Sequence, residues 1–549
     1  MLELHVGLSH SDPYKSMVVR LLNKAALFLC LMGVTLGANA QVVVDSSFGS
    51  EGALNGPNFQ IPDNLGKTVG DNLFHSFTEF SLQTGQSATF TGPDAIQNIL
   101  GRVTGNKVSE IDGLIKSEIT GANLYLLNPK GFLFGENAKV DVDGAFTVSA
   151  RESIRLGEEG SFNAVNPDQS VFVSVAPEVF GFLGDNPGGD ITLNGSKLEL
   201  TGKDNFIGLV GNEILLRNKS FLSVGGGGNI KIRSQKLKLT ENSQITTDTN
   251  NESPAGDITI DSAEVIITEE GRVTASTLGK GKAGDIVVKA GEIRMEAGKI
   301  FSDSKSKGDG GDAGMVELEG EVINILANAR VGSNTEGKGN AGVIRIKGSE
   351  VNVIDGAIQT NSNNHMEDGV AGSIEIEADR LVVRQDKGSG FIDGLISSDT
   401  RGHGDGGTMT IKAEVLELDG GQINTRSGWF SPITSGGGKA GDIGIEVKEV
   451  RMSNGAKISS STWTQGDGGE VKISGDALVL SGGITAINTY SAYGIMGNHE
   501  EGKGGTGGKI EIGVKEVQIV AGAGISASSR GRGDAGVIKL DSESIWVDG

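Results

Sequence analysis

The chain has 549 residues, 87 of them Gly, with 5% aromatics and a formal net charge of −22. The absence of a Gly-X-Y period excludes collagen, and a 37% share of hydrophobic residues, alternating with polar ones between the glycines, excludes a disordered chain. The acidic balance argues against nucleic acid or anionic lipid as a ligand and suits a soluble, self-repelling surface.

Residues 1–40 read as an export signal. Met17 opens it, and the sixteen residues before Met17 read as an over-extended start. Arg20 and Lys24 supply the basic region, Ala25 to Leu36 the apolar stretch, and Ala38-Asn39-Ala40 the cleavage site before Gln41. The only cysteine, Cys30, lies in the apolar stretch behind Leu29, which is too large for a lipid-anchor signal. The mature chain is therefore expected to hold no disulfide. No other apolar run approaches the ~18 residues of a membrane span.

Residues 41–185 are aromatic-rich and non-repetitive: of 19 Phe, only Phe301, Phe391 and Phe430 lie beyond Phe221. They read as a cap on the repeats beyond residue 185, because a stacked β-structure with an open first turn exposes a strand edge. Asn128-Pro129-Lys130-Gly131 reads as a tight turn between two apolar strands, Pro fixing φ at its second position and Gly closing it. His75, among aromatic and apolar neighbours, reads as a packed residue rather than a ligand.

Four motifs succeed one another here: Asn72-Leu73-Phe74-His75-Ser76-Phe77, Arg102-Val103-Thr104-Gly105, Ile111-Asp112-Gly113, and the run from Asn123 through Asn128-Pro129-Lys130-Gly131 to Gly135. Together, over roughly Gln41 to Phe182, they resemble the haemagglutination-activity domain of filamentous-haemagglutinin-like exoproteins. The resemblance implies two-partner secretion: an outer-membrane β-barrel transporter recognises this domain, and the passenger folds outside the cell as a right-handed parallel β-helix. Residues Asn128, Pro129, Lys130 and Gly131 would then belong to the secretion motif. Lys130 departs from the family pattern, where a second Asn is usual. The turn is expected to survive, since Pro129 and Gly131 remain.

Residues 186–549 carry a countable repeat. Gly228, Gly256 and Gly284 are 28 residues apart, as are Gly314 and Gly342, Gly441 and Gly469, and Gly508 and Gly536; other intervals reach 39. Apolar residues recur two, four, nine and eleven positions after each anchoring Gly, as in Ile344, Ile346, Val351 and Val353 after Gly342. A third apolar position comes later in each repeat, for example Ile245, Val273, Ile358 and Ile458. Each repeat is thus expected to hold three short strands of period two, and stacking is needed to bury their apolar row. Twelve coils would span about 55–60 Å at ~4.8 Å each. The Ser, Thr and Asn that end the third strand (Thr246-Thr247, Thr360-Asn361-Ser362, Ser459 to Thr462) are expected to stack as a structural ladder.

No residue set reads as catalytic, as a metal site or as a cofactor site. Gly402-His403-Gly404 and Arg345-Ile346-Lys347 resemble short motifs of pectin-degrading glycosidases, but in reversed order and without paired-carboxylate motifs. The Gly308-Asp309-Gly310-Gly311-Asp312 loop and Arg532-Gly533-Asp534 obey the repeat's own turn grammar. One constellation exceeds it. Trp429 and Phe430, then Trp463, then Tyr490 and Tyr493 fall in the turns of three consecutive coils, and are expected to share a corner suited to a glycan or cell-surface receptor.

The reading is an exported all-β exoprotein, at the surface or secreted via periplasm and outer membrane, and an adhesin or haemagglutinin. The alternatives are an exported carbohydrate-active enzyme and the stalk of a truncated contact-dependent toxin. The third strand of the last repeat would fall about 17 residues after Gly536, past Gly549, so the passenger is expected to be cut short.

Overall fold

The structure is a computed structural model that describes residues 41–183, 188–202, 205–363, 369–386, 394–402, 404–428, 438–492, 505–530 and 533–549. The expected export signal at residues 1–40 lies outside them, as do Phe391, His403, Trp429, Phe430, Tyr493 and Arg532.

The described chain is a parallel β-helix. Its first row of strands runs through Asn72–Phe80, Asn98–Val103, Asn123–Leu127, Phe146–Ser149 and Phe206–Val210, each paired in parallel with the next. A second row stacks Ser109–Ile111, Gly131–Phe134, Asp190–Asn194 and Glu213–Arg217. The third row runs from Asn58–Pro62 through Ser87–Thr91 and Leu114–Ser117 to Lys139–Asp141. It resumes as a twelve-stranded sheet from Lys197–Leu200 to Gly524–Ser529. Among the described residues the only helices are three-residue 3-10 turns, and no helix is long and apolar enough to cross a membrane.

The expected three short strands per repeat need correction from Asn229 onward. There the first two rows merge into single strands of 11 or 12 residues, such as Asn229–Leu239, Val343–Ile354 and Lys509–Val520. Coils at Met315–Glu319 with Val322–Leu326 and at Val537–Asp541 with Ser544–Asp548 keep the strands separate. The interval from the fourth to the ninth position is odd, so the alternation must slip by one residue in between. Small residues at the slip let the backbone turn the corner without losing its ladder, and Ser234, Ser262 and Ala290 stay in register across it.

Alternation sends one side of each strand inward. Ile344, Val351, Val353 and Leu416 are fully buried, in one apolar core that runs from Val42 to Val517. Burial of each such side chain contributes about 1.5–3 kcal/mol, against the entropy of ordering the coil. Val42–Val44 closes the first end, pairing antiparallel with Gly52–Ala53 and with Asn72–Phe80. In the last repeat Ile538, Ile545 and Val547 hold the positions that are core in the earlier coils but are exposed, with Val547 at 67%.

The anchoring glycines have a steric cause. A Cβ on Gly342 would sit 1.9 Å from the Gly314 carbonyl oxygen and 2.3 Å from Ser333 Oγ. That Ser333 hydroxyl donates to the same Gly314 carbonyl at 2.5 Å, and Thr247 Oγ1 does likewise to Gly256 at 2.6 Å. The third-strand hydroxyls therefore cross the coil to satisfy the tight glycine corner. Of the expected hydroxyl ladder, Thr274 Oγ1 donates to Thr246 Oγ1 and Thr360 Oγ1 to Ser398 Oγ, both at 2.9 Å, whereas Thr249, Thr277, Ser304, Thr335, Ser362, Thr400 and Ser427, all buried, are joined from coil to coil by parallel backbone bridges.

A second layer covers the outer face of the first coils. Ser153–Leu156 pairs antiparallel with Gly160–Asn163 and with Pro177–Leu183. Its Ile154, Leu156 and Phe162 pack on Phe74, Leu100, Tyr125 and Leu127, which point away from the main core. Strand Asn72–Phe80 is consequently buried on both faces over its first six residues.

Candidate functional site

Strand Asn123–Leu127 delivers Asn128 to the corner that leads into strand Gly131–Phe134. The Gly131 amide donates to the Asn128 carbonyl at 2.9 Å and closes a four-residue turn. The Asn128 side chain is fully buried and serves two segments at once. Its Oδ1 accepts from the Lys130 amide at 2.9 Å, while its Nδ2 donates to the Lys107 carbonyl and to Ser109 Oγ, both at 3.0 Å. Gly131 has φ of 103°, and a Cβ there would lie 2.3 Å from the Asp190 carbonyl oxygen. Only Gly meets both conditions. Lys130 is exposed, so the one departure from the family pattern falls where a side chain meets solvent and leaves the turn's hydrogen bonds to the backbone and Asn128.

Beneath this turn lies a buried polar network that the sequence motifs do not announce. Arg102 is 1% exposed. Its Nε donates to Ser76 Oγ at 2.7 Å, Nη1 to the Asn163 carbonyl at 2.6 Å and to Ser170 Oγ at 2.8 Å, and Nη2 to Ser47 Oγ at 3.1 Å. The guanidinium also lies 4.7 Å from the Phe162 ring centre. Burial lowers its pKa to about 10, opposed by the charges of Asp45 and Asp168, so it stays protonated at neutral pH. Burial pushes the Asp45 carboxyl up, but hydrogen bonds from Ser76, Ser47 and Thr104 together hold it below its ordinary value. Arg102 thus fastens the capping strand, the first coil and the outer sheet to one another. The only sequence signal was its place in the Arg102-Val103-Thr104-Gly105 motif, which says nothing of its partners.

A second polar line climbs the same face. Asn98 Nδ2 donates to Asn72 Oδ1 at 2.9 Å and Asn123 Nδ2 to Asn98 Oδ1 at 3.0 Å, while Asn72 Nδ2 donates to the Val173 and Val175 carbonyls. His75 packs inside, its ring 5.6 Å from Phe90 and 6.1 Å from Phe77. Neither ring nitrogen has a partner among the described residues, and burial lowers its pKa to about 3, so it is neutral.

Of the five expected corner aromatics, two are described. Trp463 and Tyr490 are half-buried on consecutive coils and meet edge to face, with ring centres 5.3 Å apart. The Arg530 guanidinium lies 5.5 Å from the Tyr490 ring centre, on the next coil. Trp429, Phe430 and Tyr493 lie outside the described residues.

The glycosidase-like fragment belongs to the strand pattern. Ile346 is in the core, Arg345 pairs with Glu375 at 2.9 Å, and Lys347 pairs with Glu377 at 3.8 Å. Asp309 pairs with Lys338 at 2.9 Å. Among the described residues no three His, Cys, Asp or Glu side chains gather as a metal site.

The family described as the TPS secretion domain matches residues 40–318, which include the Asn128 turn, the Arg102 network and the first coils of the repeat. Among solved structures the chain is similar to the crystal structure of the HMW1 secretion domain from Haemophilus influenzae, at 15% identity and a TM-score of 0.30, with 93% of this chain and 98% of that chain covered. No curated protein matches it.

Proposed function

The chain belongs to the TPS secretion domain family, and from that premise we propose that it is an adhesin delivered to the cell surface or the medium through an outer-membrane barrel, with the Asn128-Pro129-Lys130-Gly131 turn as part of the signal that the barrel reads. The family is that of a secretion domain rather than of an enzyme.

The observation that carries the export reading is the division of labour within the turn. Asn128 and Gly131 are committed inward, to Lys107, Ser109 and the close approach of Asp190, while the side chain of Lys130 faces solvent. A rigid turn that presents one exposed position on a buried frame suits recognition, because little is left to order on binding. The adhesive reading rests on the aromatic corner. Trp463 and Tyr490 present ring area beside Arg530, and flat rings stack on sugar faces.

The test of export is co-expression. With a two-partner barrel transporter the chain should appear in the medium or on the surface; without one it should stay in the periplasm. Equal appearance in both strains would refute the reading.

A further inference from the structure

Five residues after its anchoring Gly, each coil from Gly228 to Gly441 has an outward-facing position at the corner between the first two rows, on a merged strand in every case but Met315–Glu319. From coil to coil that position carries Arg233, Asp261, Lys289, Glu319, Lys347, Glu377, Lys412 and Glu446, all stacked in register. Over these eight coils the sign alternates; Ser474 and Gly513 hold the position on the next two. Neighbours pair at 3.0 Å for Arg233 with Asp261, 2.6 Å for Lys289 with Glu319, 3.8 Å for Lys347 with Glu377 and 3.6 Å for Lys412 with Glu446.

Stability alone does not account for the row, since solvent-exposed ion pairs contribute little. Register does. The core positions beside it are interchangeable: Ile258, Ile286, Val316, Ile344 and Ile374 occupy equivalent places on successive coils. An array of equivalent coils allows one coil to dock on the next but one, looping out the coil between, at no cost in apolar complementarity. The charge row distinguishes the two arrangements. Correct stacking sets opposite charges about 4.8 Å apart, and a skipped coil sets like against like. That spacing lies within the Debye length of about 8 Å at physiological salt. We propose that the alternating row from Arg233 to Glu446 is a register code that rejects coil-skipped docking while the solenoid folds.

The test uses a disulfide reporter in the full chain with Cys30→Ser. Thr259 stacks on Val287 and Val287 on Glu317. Cysteines at 259 and 317 would therefore lie about 9.6 Å apart in the correct register, beyond the ~7 Å limit for a bridge. They can close only if the coil between them is skipped. The reporter Thr259→Cys/Glu317→Cys is refolded from urea with oxidised glutathione in the native row and in the exchange Lys289→Glu/Glu319→Lys. The exchange preserves composition, net charge and the pair between 289 and 319, but sets Asp261 against a carboxylate and attracts it to the skipped position. Several-fold more bridge is expected from the exchanged row at low salt. The difference should vanish in about 1 M NaCl, where the Debye length is about 3 Å. A row with all eight charges inverted should bridge as little as the native one. Equal bridging at low salt, an excess that survives high salt, bridging by the inverted row, or failure of the exchanged chain to refold at either salt would each overturn the proposal.

Discussion

Arg102 and Asp45 are joined through one hydroxyl: Arg102 Nε donates to Ser76 Oγ at 2.7 Å, and Ser76 Oγ donates in turn to Asp45 Oδ2 at 2.6 Å. The relay links the residue after the capping strand to the first coil, while Nη1 reaches Asn163 and Ser170 beside the outer sheet and Nη2 reaches Ser47. Arg102→Met should leave Asp45 without its charged neighbour and the Asn163 carbonyl without its donor, at a cost of about 3–5 kcal/mol. Amide hydrogen exchange checks it. Protection should fall around residues 153–171 and in the capping strand, and stay unchanged in coils beyond Asn229.

His75 sets an acid limit. Its pKa falls from the ordinary 6.5 to about 3 in the fold, so the unfolded chain binds more protons between those values. Stability is therefore complete above about pH 6.5 and declines as pH falls toward 3, by at most about 5 kcal/mol for this group. Asp45 acts in the same direction lower down: its depressed carboxyl contributes stability that is lost as pH drops below the ordinary carboxylate range. Urea midpoints measured from pH 7 to pH 4 should fall for the native chain and flatten for His75→Leu, which also removes two unsatisfied buried nitrogens.

The glycine corners differ sharply from glycines elsewhere on the strands. Gly342→Ala should cost more than about 3 kcal/mol, since its Cβ has no free space against Gly314. Gly444 faces outward, and its nearest neighbour, the Met409 carbonyl oxygen, is 3.9 Å away. Gly444→Ala should be neutral or slightly stabilising. Thermal unfolding of the two variants compares them directly.

The aromatic corner is tested by replacing Trp429, Trp463 and Tyr490 with Ala together. Binding to a glycan array or to cells should weaken at least several-fold while the melting temperature moves by only a few degrees, because Trp463 and Tyr490 are only half-buried. Unfolding of the triple variant would assign the rings to the fold instead.

The solenoid was legible in the sequence because its core positions sit at constant distances from a glycine that nothing else can replace, as Ile344 and Val351 do from Gly342. The merging of the first two strands was not, since the phase slip between Ile346 and Val351 looks like a break when periodicity is the only signal. The Arg102 network was illegible for a different reason. Ser47, Ser76, Asn163 and Ser170 are ordinary polar residues on three distant segments, and only the fold brings them to one guanidinium. At the Asn128 turn the sequence pattern identified the turn itself, whereas the inward bonds to Lys107 and Ser109 depend on stacking.

The most direct test of the account is export of the turn variants in a strain carrying a two-partner barrel transporter. Asn128→Ala/Gly131→Ala removes the buried amide and strains the close approach to Asp190, whereas Lys130→Asn changes only the exposed position. The amount of chain in the medium, measured against total synthesis, should fall at least tenfold for the double variant and stay near the native level for Lys130→Asn. Undiminished release of the Asn128→Ala/Gly131→Ala chain would contradict the account.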